Sequence, residues 1–181
     1  GNVVSARLLE LPPEAPRDPA IRRLLEAHDR RVGQANRRVW ADITPPEVPE
    51  GGARYLGAEA CGACHAAALR WWSTTPHGRA YQTLEGVQKQ FDLDCVGCHV
   101  TGYRRPGGSN VTHVGELAGV GCEVCHGPGS LHVSAPERAR LDASPEASVC
   151  LRCHTQAHSD LFDFDAYRAM LVVPGHGQRE P

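Results

Sequence analysis

One pattern, Cys-x-x-Cys-His, occurs four times and uses all eight cysteines of the chain. Two thiols at this spacing can add to the two vinyl groups of one porphyrin, and the adjacent histidine then reaches the iron. The pattern therefore predicts four covalently bound haem c groups. The predicted thioether residues are Cys61, Cys64, Cys95, Cys98, Cys122, Cys125, Cys150 and Cys153, and the predicted proximal iron ligands are His65, His99, His126 and His154.

Three other kinds of cysteine site explain the repeat less well. A disulfide framework gives no reason for a histidine after every second cysteine. Structural zinc sites need four cysteines, or two cysteines and two histidines, and they do not require four identical runs. Thioredoxin-like redox sites occur singly on a βαβ pattern, which this sequence lacks.

Six further histidines could supply the distal iron ligands: His28, His77, His113, His132, His158 and His176. Four irons need four such ligands, so the supply exceeds the demand. Met170 is the only methionine, which excludes histidine–methionine ligation as the general arrangement. These counts favour bis-histidine ligation, and an iron capped on both faces favours electron transfer over catalysis.

The sequence around the motifs resembles the tetrahaem cytochrome c family of ammonia-oxidising bacteria, the type that accepts electrons from hydroxylamine oxidoreductase. The most specific match is the run Gly-Cys-Glu-Val-Cys-His-Gly-Pro-Gly-Ser-Leu-His at residues 121–132. Tyr-Leu-Gly at residues 55–57 and Cys-His-Val-Thr-Gly-Tyr at residues 98–103 also match. The tail matches at Phe162, Phe164, Tyr167 and His176, so the resemblance covers about residues 55–181.

The resemblance implies particular ligand pairs. It places His132 on the first haem, opposite His65, His77 on the third, opposite His126, and His176 on the fourth, opposite His154. It implies no distal ligand for the second haem. We expect His113 to take that position opposite His99, with a surface position for His113, or capping by His28 or His158, as the alternatives.

The N-terminal segment has a different character. Residues 3–11 are predicted to form a strand. Asp18-Pro19 predicts the start of an amphipathic helix that runs to about Trp40. The Pro/Gly-rich residues 41–54 read as a linker to a tetrahaem domain over 55–181. The strand and helix of residues 1–40 resemble the tail of calcineurin-like metallophosphatases of the 5′-nucleotidase type, without any of their metal-binding motifs.

His28 lies on the apolar stripe of that predicted helix, which gives it two interpretations. It either packs on the core or binds a haem iron. In the second case the iron could belong to a neighbouring subunit, so that copies would form a homopolymer, or filament, of haems. Unchanged haem spectra and unchanged assembly in His28→Ala would exclude the second interpretation.

Composition bounds the fold. Hydrophobic residues make up 41% of the chain, but that figure includes the cysteines, and only three Trp, four Tyr and three Phe are present. Side chains can therefore form only a small core. We predict a mainly α fold with extensive irregular loops wrapped around four closely packed haems, with a short N-terminal strand and helix.

Charge and hydropathy restrict the partners. The net charge of −2 gives no indication of nucleic-acid binding, and no apolar run is long enough to span a membrane. The sequence begins without methionine or a signal segment, so we expect that a signal peptide has been removed or that the chain belongs to a longer one. Because haem c is attached outside the cytoplasmic membrane, the expected location is periplasmic or extracellular.

Three functions agree with these observations. The first is electron transfer between redox donor and acceptor proteins, without enzymatic activity. The second is reduction of a small nitrogen oxide at one haem that lacks a distal ligand. The third is an electron-relay module of a larger, phosphatase-like protein.

Overall fold

The computed structural model describes residues 5–7, 12, 15–174 and 176–178. Most of its regular structure is helical, and long loops join the helices, which confirms the predicted mainly α class. The helices are α1 Pro19–Trp40, α2 Ala58–Cys61, α3 Ala66–Trp72, α4 Ala80–Gly86, α5 Leu93–His99, α6 Cys122–His126, α7 Ser130–Ser134, α8 Ala147–Cys150 and α9 Phe164–Leu171, with a 3-10 turn at Gly115–Leu117.

Helix α1 has the predicted bounds because its first turn is capped. The Asp18 side chain accepts hydrogen bonds from the backbone N–H groups of Ala20 and Ile21, at 2.7 and 3.3 Å. Pro19 occupies the first helical position, where its missing N–H costs nothing. Local capping chemistry therefore determines where this helix begins.

Only the second half of α1 packs on the body of the protein. Gly33 is buried against Phe91, and the Asn36 side chain donates a hydrogen bond to the Phe91 carbonyl oxygen at 2.8 Å. In the first half, Ile21, Leu24 and Leu25 are 54–60% exposed, although they form the apolar stripe. His28 is exposed as well, so the expectation that it packs on the core of this chain is wrong.

Most of the predicted N-terminal strand lies outside the described residues. Residues 3–4 and 8–11 lie outside the described residues, and residues 5–7 are not in a strand. Near the other end, β1 Val173–Pro174 and β2 Gly177–Gln178 pair in parallel. The sequence did not predict this short pair, which flanks His176.

The residues predicted as a linker lie against a loop that follows α5. The backbone N–H of Gly107 donates to the carbonyl oxygen of Pro46 at 2.9 Å, and the Asn110 side chain donates to the carbonyl oxygen of Ile43. At the end of the segment, Arg54 N–H donates to Ser130 Oγ at 2.9 Å. The segment is therefore held at both ends.

The side-chain core is small. Its centre is a cluster of Val96, Val100 and Val111, with five partly buried neighbours around it. Many large apolar side chains elsewhere in the described residues are exposed, including Leu161 at 84% and Met170 at 70%. Side chains alone therefore leave much apolar surface uncovered. Within the part of the chain that the structure describes, no helix is long and apolar enough to cross a membrane.

Candidate haem-binding centre

Each of the four motifs lies on or directly after a short helix. Sites 1 to 4 denote the motifs in chain order: residues 61–65, 95–99, 122–126 and 150–154. Helices α5 and α6 contain the motifs of sites 2 and 3, whereas α2 and α8 end at the first cysteine of sites 1 and 4. Each motif thus forms about one turn, which brings its two thiols to the same side.

Thiol contacts link the four sites one after another, and this series is the line of sites. Cys61 of site 1 hydrogen bonds with Cys122 of site 3, and Cys98 of site 2 hydrogen bonds with Cys153 of site 4. Cys125 of site 3 also lies within electrostatic reach of the Cys150 thiol of site 4. Helix α6 contacts both α2 and α8. The spatial order is therefore 1, 3, 4, 2.

All eight cysteines are free thiols, and their surroundings differ. The hydrogen bond from the Cys122 thiol lowers the pKa of Cys61 to about 7 and raises the pKa of Cys122. Burial, followed by the hydrogen bond with Cys98, raises the pKa of Cys153 to about 12. Free thiols are the form that attachment to a porphyrin requires.

Several histidines are held through one ring nitrogen. Nδ1 of His99, His132 and His176 lies 2.7–2.8 Å from a backbone carbonyl oxygen, of Ala80, Ala139 and Leu171 respectively. His126 uses the carbonyl oxygen of Asp142 in the same way, and His154 uses Ser159 Oγ at 3.1 Å. Since a carbonyl oxygen only accepts, Nδ1 carries the proton of each ring that contacts one. Nε2 then remains free to bind iron, as in other metal-binding histidines.

Two pairs of imidazoles lie close together. The ring centroids are 5.9 Å apart for His77 and His154 and 6.0 Å apart for His126 and His176. Both pairs meet edge-on, with interplanar angles of 72° and 85°. The pairs differ from those implied by the family resemblance, which placed His77 opposite His126 and His176 opposite His154.

Aromatic side chains surround these pairs. Trp71 stacks on His176 with 5.3 Å between centroids, and Phe162 stacks on His154 at 4.5 Å. Trp72 is buried beside His77, and its indole N–H donates to the Val120 carbonyl oxygen at 3.0 Å. Burial, followed by the charge of His154, lowers the pKa of His77. A lowered pKa favours the neutral ring, which is the form that binds metal.

The other predicted ligands are more exposed. His113 is exposed, although residues 108–111 of its loop are buried, and its Nδ1 is 3.2 Å from Asn110 Oδ1. His65, His28 and His158 are exposed too, and none of the three makes a ring contact with another imidazole among the described residues. The structure does not bring His113 next to His99, nor His132 next to His65. Their roles stay predictions.

The sequence analysis did not identify two polar residues of the centre as candidate site residues. Asn110 is buried and orients His113, and Glu123 is buried between the two cysteines of site 3. The position of Glu123 inside a haem-attachment motif could have indicated a role at site 3. However, an acidic residue at such a position is ordinarily interpreted as an exposed surface charge. No sequence pattern indicated a role for Asn110, because its contacts depend on how the loop folds.

The residues present fit haem c. The donor set combines paired free thiols with imidazoles held through Nδ1, and two pairs of imidazoles lie about 6 Å apart. Aromatic rings flank the pairs, and the small side-chain core leaves apolar surface for a large planar group to cover. No cluster of three or more histidine, cysteine or acidic side chains suited to a bare metal ion occurs in the described residues.

Comparisons with known proteins show that part of the chain is similar to c-type cytochromes. Residues 60–127, which contain sites 1 to 3, match the family model "Cytochrome c554 and c-prime". The chain is also similar to cytochrome c-554 of Nitrosomonas europaea, with 38% identity over 93 residues. That match spans 42% of this chain and 40% of the length of the curated relative.

No solved structure matches the chain. The predicted cofactor, haem c, is confirmed by the two matches, as is the predicted likeness to this cytochrome family for the matched part. Neither match supports a likeness of the N-terminal segment to metallophosphatases, and that interpretation stays a prediction.

Proposed function

We propose that the chain carries four haem c groups and relays electrons along the line of sites 1, 3, 4 and 2. The observation that carries the proposal is the contact between sites: Cys61 with Cys122, Cys125 near Cys150, and Cys98 with Cys153. Haem iron, when bound, supplies one-electron transfer between its ferric and ferrous states. The chain holds neighbouring groups close enough together to form one path.

Bis-histidine ligation is the second part of the proposal. His77 is proposed as the distal ligand of site 4, opposite His154, and His176 as that of site 3, opposite His126, and the closeness of the two pairs of rings supports this proposal. His132 is anchored through Nδ1 and is proposed as the distal ligand of site 1, opposite His65. Irons with two histidine ligands have no free position for a substrate, which favours a carrier over an enzyme.

His113 is the proposed distal ligand of site 2, opposite His99. Asn110 holds its Nδ1, so its Nε2 is available. We expect the reduced native protein to bind no carbon monoxide, because all four irons are capped. His113→Ala should open one iron and bind one carbon monoxide per chain, with the change visible in the Soret absorption band.

His158→Ala is the matched control, since His158 is an exposed histidine outside the proposed ligand set. It should bind no carbon monoxide. If the native protein binds one equivalent and His113→Ala does not change it, His113 is not a ligand. The exposed position of His113 would then favour the second candidate function, reduction of a small nitrogen oxide at site 2.

The proposed location is periplasmic or extracellular, because haem c is attached outside the cytoplasmic membrane. The proposed partners are redox proteins that reach the two ends of the line, sites 1 and 2. Copies of the chain could associate into a haem chain, with His28 as a ligand between subunits. The exposed apolar residues in the first half of α1 support this association. Assembly that is unchanged in His28→Ala would exclude that role.

A further inference from the structure

Glu123 is a buried charged residue at the junction of sites 1 and 3. Its exposed fraction is 3%, and the other buried polar residues found in the described ranges, Thr101, Ser109 and Asn110, carry no charge. A carboxylate is costly to bury unless hydrogen bonds compensate for the lost water. Its presence inside a small, sparsely packed protein therefore calls for a physical explanation.

Backbone amides from two other segments surround the carboxylate. Leu56 N–H donates to both oxygens at 3.0 Å, Gly57 N–H donates at 2.8 Å, and Gly129 N–H donates at 2.7 Å. Gly57 has a φ of +90°, and a Cβ there would collide with the Glu116 carbonyl oxygen, so this approach needs glycine. Glu123 takes part in none of the ion pairs of the described residues. Backbone amides therefore supply the hydrogen bonds that compensate for the water it has lost.

These hydrogen bonds connect three segments at sites 1 and 3, which form one half of the line of sites. Leu56 and Gly57 lead into α2 and site 1, Glu123 lies on α6 in site 3, and Gly129 directly precedes α7, which carries His132. Glu123 directly follows Cys122 of site 3 in the chain, and the amide of Gly57 that binds it directly precedes α2, which ends at Cys61 of site 1. Sites 1 and 3 therefore share the field of this carboxylate.

We propose that Glu123 is a tuning and positioning residue that lowers the reduction potentials at sites 1 and 3. A negative charge in a poorly solvated place stabilises the more positive, ferric state of a nearby iron. An electron would then move from a ferrous iron at site 1 or 3 to a ferric iron at site 4 or 2, with no proton transferred and no bond changed. The relay would thus have a direction, in at site 1 and out at site 2.

This inference rests on the proposed function, and a redox titration of the four-haem protein tests it. In Glu123→Gln, two of the four midpoint potentials should rise. A tenfold change in the reduction equilibrium corresponds to 59 mV for a one-electron couple, and each rise should be of about this size. The other two potentials should stay as in the native protein.

Glu59→Gln is the matched control, because Glu59 lies in α2 beside site 1 but is exposed to water. It should leave all four potentials unchanged, since solvent screens its charge. Four unchanged potentials in Glu123→Gln, or an equal rise in all four, would overturn the inference. A chain that lacks four reducible haems would instead overturn the proposed function.

A second measurement keeps the test decisive if Glu123→Gln fails to mature. Removing site 1 with Cys61→Ala and Cys64→Ala should abolish one of the two lower potentials. Removing site 2 with Cys95→Ala and Cys98→Ala should abolish one of the two higher ones. The reverse assignment would contradict the proposed effect of Glu123.

Discussion

Without haem, the chain is expected to lose most of its helical structure. Helices α2 to α9 have four to eight residues each, far fewer than the roughly 12–15 that an isolated helix needs in water. The valine cluster around Val96, Val100 and Val111 is too small to hold them together. Replacing all eight cysteines with alanine should therefore reduce the far-ultraviolet circular dichroism of helices by more than half.

The comparison is with the haem-loaded native protein at the same concentration and temperature. The remaining helical signal should come mainly from α1, whose 22 residues and Asp18 cap make it the most independent helix. The signal should also melt gradually, because no shared core couples the segments. A cooperative thermal transition with native helical content in the alanine variant would show that side chains alone stabilise this fold.

The second large effect is expected at the distal histidines. His77→Ala should convert one of the four haems from low spin to high spin, because the iron opposite His154 loses its sixth ligand. Electron paramagnetic resonance of the oxidised protein measures this conversion directly. His176→Ala should give the same signal from the iron opposite His126.

Removing single haems then identifies the partner of each histidine. In His77→Ala, the high-spin signal should vanish when site 4 is removed with Cys150→Ala and Cys153→Ala. It should persist when site 3 is removed with Cys122→Ala and Cys125→Ala. His176→Ala should behave in the opposite way, which makes each variant the control of the other. The reversed pattern would support the pairs implied by the family resemblance instead.

Local chemistry explains what the sequence could predict. The attachment motifs require only neighbouring residues, so sites 1 to 4 were identifiable from spacing. Helix α1 was equally predictable, since Asp18, Pro19 and the apolar periodicity all lie within one segment. Even so, periodicity could not show which half of α1 packs, and the structure leaves Ile21, Leu24 and Leu25 exposed.

The parts that sequence could not supply depend on contacts between distant segments. His77 meets His154, and His126 meets His176, only because the chain returns to α6 and α8 after long loops. The same return brings Cys61 to Cys122 and so determines the order of the sites. In the sequence, nothing distinguishes Glu123 from an ordinary acidic residue. Its role depends on the amides of Leu56, Gly57 and Gly129, which only the folded chain brings around it.

A reductive titration of the purified protein, with its haem content determined by intact mass, tests the proposed four-haem relay. We expect four covalently attached haems per chain, one for each motif, and the uptake of four electrons in one-electron steps. All four haems should equilibrate with one another in the partly reduced protein, because neighbouring sites contact each other. A chain with fewer attached haems, or with a haem that exchanges no electrons with the rest, would contradict the proposed relay.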